Sequence, residues 1–193
     1  NVKKNYKFNN LSKENSNDNY LIYPSNFRSH KNHENLIKAF CLISNLNDNI
    51  KLYLTGFGPQ KIINLARSNG VLNKIKFLGE IDDNSLINYY LNSSGLIFPS
   101  LYEGFGLPLV EALDLDVPIA CSNIDTFKEI VPNAAIFFNP NSITEISKAM
   151  LLLLNKKYPK KLITNARNIR KNYDFKKTYQ QLKKQILLII DEK

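Results

Sequence analysis

Gly95-Leu96-Ile97-Phe98-Pro99-Ser100 leads through Leu101 and Tyr102 into Glu103-Gly104-Phe105-Gly106-Leu107-Pro108-Leu109-Val110-Glu111. The apolar run reads as a strand and the glycine pair as a tight loop. Pro108 suits the first turn of a helix, where a missing N–H is harmless. Such a loop brings free N–H groups and the positive end of a helix dipole to one point, where a phosphate or a sugar hydroxyl binds. Glu103 lies in the loop and Glu111 about one turn into the helix, so two carboxylates flank the bound group. Glycine turns also open helices for purely structural reasons. The flanking acids make this one a sharper pattern.

Working outward, strand and helix signals alternate. Tyr20–Tyr23, Ile50–Thr55, Lys74–Leu78, Gly95–Phe98, Pro118–Cys121 and Ala135–Phe138 read as strands. Residues 33–45 carry apolar side chains at 36, 37, 40 and 43, which is helical spacing. Further helices are expected over 60–68, with Gly70 as a stop, and over 86–91, capped by Asp82 or Asp83. Others are expected over 107–115, 126–131 and 143–154. This alternation predicts an α/β fold, a Rossmann-like doubly wound parallel sheet of about six strands. Ligands of such sheets bind beyond the carboxyl ends of the strands. Gly56, Gly79, Ser100 and Ser122 all fall at that edge.

Three regions are expected in the 193 residues: a polar linker or loop over 1–19, the Rossmann-like domain over 20–155, and basic C-terminal helices over 156–193. The last region reads as helices over 160–171 and 175–190. In the second, Phe175, Tyr179, Leu182, Ile186 and Ile189 form one narrow apolar stripe. It must be buried on this domain or a partner; lying on a membrane surface is the rival reading. Net charge is +9, and residues 1–155 carry 14 basic and 14 acidic side chains, so the tail holds the whole excess. That excess suits an anionic membrane surface, a polyphosphate-linked acceptor, or only a solvated face. Nucleic acid fits poorly, because no recognition motif accompanies the charge.

No apolar run approaches bilayer-spanning length. Asn1-Val2-Lys3-Lys4 is followed by no signal-peptide core, and with no initiating Met the chain reads as an excised fragment. Cys41 and Cys121 read as buried free thiols in a reducing compartment. The expected location is cytoplasmic, with a peripheral place at the inner face of a membrane as the variant reading.

The motif resembles that of the retaining glycosyltransferases with an E-x7-E signature and two Rossmann domains, the GT-B architecture. The resemblance runs from about Tyr20 to Leu154. It includes Tyr23-Pro24, His30-Lys31-Asn32-His33, Leu54-Thr55-Gly56-Phe57-Gly58-Pro59, Phe77-Leu78-Gly79, Phe98-Pro99-Ser100 and Val117-Pro118-Ile119. It implies the C-terminal, donor-binding half of such an enzyme. The substrate would be a nucleoside-diphosphate sugar and the acceptor a glycan or lipid-linked sugar, with surface polysaccharide synthesis as the setting. The acceptor would be held by an N-terminal domain that this chain lacks. The fragment alone is therefore expected to be inactive, because no partner domain closes to exclude water.

The resemblance implies roles for particular residues. Lys31 would contact the donor phosphates and stabilise the leaving diphosphate, an effect worth roughly 3–4 kcal/mol of barrier. Glu103 would face the donor sugar, and these two form the catalytic set. Glu111 would accept hydrogen bonds from the ribose hydroxyls. Gly104, Phe105, Gly106 and Leu107 would touch phosphate or sugar, Gly56 and Gly58 would allow close approach, and the chain after Gly79 would frame the base. A plain structural turn is the alternative for the glycines. The family arginine five residues before the lysine is Asn26 here, and Arg28 is the candidate substitute, or else an exposed loop cation.

No metal and no cofactor is expected. His30 and His33 lack companions for a metal site; His33 is expected near its helix start and His30 in the loop. Asp114-Leu115-Asp116 copies the metal-binding D-x-D of another glycosyltransferase fold, but it ends a helix. Asp116 is read as a left-handed cap where the family has glycine. Two further readings stand beside the enzyme: a non-catalytic nucleotide-sugar-binding module, and a related GT-B enzyme such as a sugar-nucleotide epimerase.

Overall fold

The computed structural model describes residues 19–46 and 49–173. Most of the predicted linker and the helix predicted over 175–190 lie outside the described residues. Among the described residues six strands form one parallel sheet: β1 (Asn19–Tyr23), β2 (Ile50–Leu54), β3 (Ile75–Phe77), β4 (Gly95–Phe98), β5 (Ile119–Ser122) and β6 (Ile136–Phe138). Their order is β3-β2-β1-β4-β5-β6. The α/β, Rossmann-like doubly wound expectation therefore holds. Asn19, read with the N-terminal loop, is the first residue of β1. Ser122, read as lying past its strand, is the last residue of β5.

Among the described residues seven helices connect and follow the strands: α1 (His33–Ser44), α2 (Gln60–Ser68), α3 (Asp83–Asn92), α4 (Leu107–Asp114), α5 (Asp125–Ile130), α6 (Ile143–Leu154) and α7 (Lys160–Ile169). The ends follow from local chemistry. Asp82 caps α3 by accepting from the Ser85 N–H at 2.9 Å, and Ser142 caps α6 by accepting from the Glu145 N–H at 3.2 Å. Gly70 stops α2 at φ 69°. The helix predicted over 160–171 is α7 continued by a 3-10 turn, Arg170–Asn172.

β1 and β4 are central and their side chains are sealed on both faces, as a parallel sheet covered by helices requires. Leu21 pairs with Leu52 on one side and Gly95 on the other. α1 packs with α2 and α6; α4 packs with α5 and α7. Because β1 and β4 are neighbours yet their crossovers run outward in opposite directions, a crevice opens between their carboxyl ends. Cys121 is buried and Cys41 only partly so, its thiol donating to the Asn69 carbonyl at 3.3 Å; both are free.

Candidate functional site

The crevice between β1 and β4 is where Lys31 and Glu103 meet. The Lys31 ammonium donates to Glu103 Oε1 at 2.5 Å, and the two side chains are only 16% and 11% exposed. The ammonium also stands 5.8 Å from the centre of the Phe98 ring. A charge pair this buried is held by its surroundings, since each partner alone would be costly to desolvate.

Those surroundings are specific. Asn32, at φ 61°, turns the chain from a 3-10 turn (Ser29–Lys31) into α1, and Asn is among the few residues that tolerate that conformation. Its side-chain amide donates to the Pro99 and Pro140 carbonyls at 2.9 and 2.8 Å, tying the loop after β1 to the ends of β4 and β6. The Tyr23 hydroxyl donates to the Lys31 carbonyl at 2.9 Å and meets Ser100 Oγ at 3.1 Å. Leu101 N–H donates to the His30 carbonyl at 2.8 Å. On the other side, Thr126 Oγ1 donates to the Glu103 carbonyl at 3.0 Å. Lys31 and Glu103 thus sit on loops stitched together by backbone-directed bonds. Ser100 is buried within that stitching.

Gly106, at φ 104°, opens α4, with Pro108 in its first turn. A Cβ there would stand 3.0 Å from the Phe127 ring. Gly104 is different: it has open space around it. The Phe105 and Tyr173 rings meet nearly at right angles, and Leu107 is exposed. Glu111 is bonded to α3, where the Tyr90 hydroxyl donates to its Oε2 at 2.9 Å. Burial holds the Glu111 carboxyl above the usual carboxylate range, a rise that the Tyr90 bond opposes and the charge of Asp83 assists.

The remaining predicted residues divide. Gly56 and Gly79 both adopt positive φ and exchange N–H···O bonds of 2.8 and 3.2 Å, bridging the ends of β2 and β3. Gly58 makes room for the Phe77 ring, which a Cβ would meet at 2.4 Å. All three have complete structural reasons to be glycine. Arg28 is exposed and lines a cavity of about 470 Å³ with Phe27, His33 and Lys61, beside the crevice. His30 stacks on Tyr102, and His33 is buried against Tyr23 and Phe27. The two imidazoles therefore have separate surroundings. Asp116 takes φ 59° just past α4 and pairs with Arg167 and Arg170 at 3.4 and 3.3 Å. Asn32, Tyr90 and Thr126 were not read from the sequence as site residues. An Asn directly before a helix was the one available hint.

A family model for glycosyl transferases group 1 matches residues 4–169. The chain belongs to the group 1 glycosyltransferases. Among curated relatives of this glycosyltransferase domain, O-antigen chain mannosyltransferase B of Escherichia coli is 30% identical over 136 residues, 68% of this chain and 36% of that protein. Protein CapJ of Staphylococcus aureus is 32% identical over 149 residues, 75% of this chain and 38% of that one. The matches thus span little more than a third of these relatives. In fold, the domain superposes on sucrose-phosphate synthase from Thermosynechococcus elongatus with a TM-score of 0.81 at 21% identity, over 92% of this chain and 47% of that one. It also matches an S. aureus TarM variant solved with fondaparinux, α-GlcNAc-glycerol and UDP, at TM-score 0.68 and 17% identity. The glycosyltransferase domain therefore has the GT-B type of Rossmann-like fold. Among the described residues no helix is long and apolar enough to cross a membrane.

Proposed function

We propose that this chain is the donor-binding half of a retaining glycosyltransferase. It moves a sugar, a mannose-type hexose being the favoured case, from a nucleoside-diphosphate sugar to a glycan or lipid-linked acceptor in surface polysaccharide synthesis. The observation that carries the reading is the buried Lys31–Glu103 pair in the β1/β4 crevice, beside the N-terminus of α4. The relatives named as O-antigen chain mannosyltransferases favour the substrate class.

In this reading the donor diphosphate takes over the Lys31 ammonium and the free N–H groups at the start of α4. That releases the Glu103 carboxylate to face the sugar. The bond from the anomeric carbon to the diphosphate oxygen breaks with its electron pair going to the diphosphate. Lys31 neutralises the charge that develops there. The acceptor hydroxyl bonds to the anomeric carbon on the same face and passes its proton to the departing diphosphate oxygen. Glu103 orients the sugar hydroxyls or offsets positive charge at the anomeric carbon. Glu111 accepts from the ribose. Arg28, beside the crevice, reaches for the phosphates in place of the absent arginine at Asn26. A second domain holds the acceptor and closes the cleft against water.

The test is calorimetric titration of the chain with UDP, GDP and ADP and their sugar conjugates, alongside Lys31→Gln and Glu111→Gln. Thermal melts would verify that both variants fold. Selective binding of one diphosphate, weakened at least tenfold in both, is the expected result. Binding of none by the folded wild-type chain, or equal binding by the variants, would overturn the donor-half reading.

A further inference from the structure

We propose that Tyr90 is a positioning residue for Glu111: its hydroxyl fixes one carboxylate oxygen so that the other is presented to the vicinal hydroxyls of the donor ribose. The inference rests on the reading of Glu111 given above and assigns a role to a residue outside the motif.

Tyr90 lies near the end of α3 and is 1% exposed. Its hydroxyl donates to Glu111 Oε2 at 2.9 Å and lies 3.4 Å from the Pro108 carbonyl, so it spans the first and second turns of α4. Among the described residues it is the one hydrogen-bond donor to that carboxylate. Rotation about the last torsion of a glutamate is broad, so an untethered carboxylate presents no fixed plane. A single charge-assisted bond to one oxygen removes that freedom. The remaining oxygen then meets a ligand without further ordering, which lowers the entropy lost on binding.

The phenol is suited to this task. Burial, then the charge and hydrogen bond of Glu111, push its pKa well above the ordinary tyrosine value. It therefore remains a donor at every working pH. The other charge bearing on Glu111 is Asp83, from the start of α3. The cations packed near α4, Arg167 and Arg170, are turned to Asp116 and the Asp114 carbonyl at its far end.

Tyr90→Phe removes the hydroxyl and keeps the ring. Carbon-13 NMR of the Glu111 carboxyl gives a readout that needs no ligand. The bond lowers the Glu111 pKa, so its loss should move the titration to higher pH. Ionised Glu111 is the acceptor, so diphosphate binding should fail at a higher pH in the variant than in the wild type. At neutral pH the affinity should drop about tenfold, and preference for ribo- over 2′-deoxyribonucleoside diphosphate should shrink. A purely structural tyrosine would lower the melting temperature and leave the neutral-pH affinity and the preference for the ribonucleotide unchanged. Protein made with 3-fluorotyrosine, whose hydroxyl is a stronger donor, should shift the Glu111 titration the opposite way and keeps the test alive if Tyr90→Phe does not fold. An unmoved carboxyl titration in the substituted protein would overturn the proposal. If the wild type binds no diphosphate, the donor-half reading fails by itself, and the carboxyl titration still decides whether Tyr90 sets the state of Glu111.

Discussion

Gly58 and Gly104 carry the same residue type for opposite reasons. At Gly58 a Cβ would lie 2.4 Å from the Phe77 ring; at Gly104 it would meet nothing within 4 Å. Gly58→Ala should therefore lower stability by about 1–3 kcal/mol. Gly104→Ala should melt like the wild type and lose affinity for the nucleoside diphosphate, because only an incoming ligand competes for that space. Urea denaturation and calorimetry on both variants separate the two. From sequence the glycines looked alike, since what each one faces is set by strands far away in the chain. His33 gives a pH signature. Burial, then the nearby charge of Lys31, lowers its pKa from 6.5 to about 4. Its Nε2 has no hydrogen-bond partner among the described residues, and the ring is buried. The unfolded chain thus binds a proton between pH 6.5 and 4 that the folded chain does not. Stability should fall by about 3 kcal/mol as pH drops through that window. In His33→Leu this slope should be absent over pH 6.5 to 5, above the range of most carboxylates. Urea melts at stepped pH provide the measurement.

At the scale of elements, the end of α4 shows what a cap needs. Asp116 N–H donates to the Leu113 carbonyl at 3.3 Å and Val117 N–H to Ala112 at 2.9 Å, the paired bonds of a Schellman turn with a left-handed residue between. Glycine suits that position better than aspartate, but aspartate adds pairs to Arg167 and Arg170 that fasten α7. Both Asp116→Gly and Asp116→Ala remove the pairs; only alanine keeps the strain. The alanine variant should be less stable than the glycine variant by about 1–2 kcal/mol, read from chemical denaturation. Wild type and Asp116→Gly should differ little, because glycine relieves the left-handed strain while losing two partly exposed pairs of modest worth. The cap was legible in the sequence, since a helix pattern stopped where an aspartate stood in place of glycine. The arginine partners were not, because nothing local relates residue 116 to α7. The ends of α2 and α6 were equally legible, since proline, serine and glycine mark them chemically.

For the whole molecule, alternation of strand and helix was readable, while the order β3-β2-β1-β4-β5-β6 was not. Order depends on which edges meet after collapse, and apolar strands such as Leu21–Tyr23 and Leu96–Phe98 carry no label for their neighbours. For the same reason Lys31 and Glu103 were each legible as candidates, while their pairing was not. The order also governs how the chain is made. Of the six described strands β1 is synthesised first, yet it ends in the middle of the sheet, between β2 and β4. β2 follows β1 closely in the chain, but the strand that pairs with the other edge of β1, Gly95–Phe98, emerges much later. Leu21 and Ile22, sealed in the finished sheet, border that edge throughout. The strand that covers it leads straight into Glu103. Protection of the growing chain from sticking to its neighbours and assembly of the charge pair therefore arrive in one step, and no shorter nascent chain carries the pair.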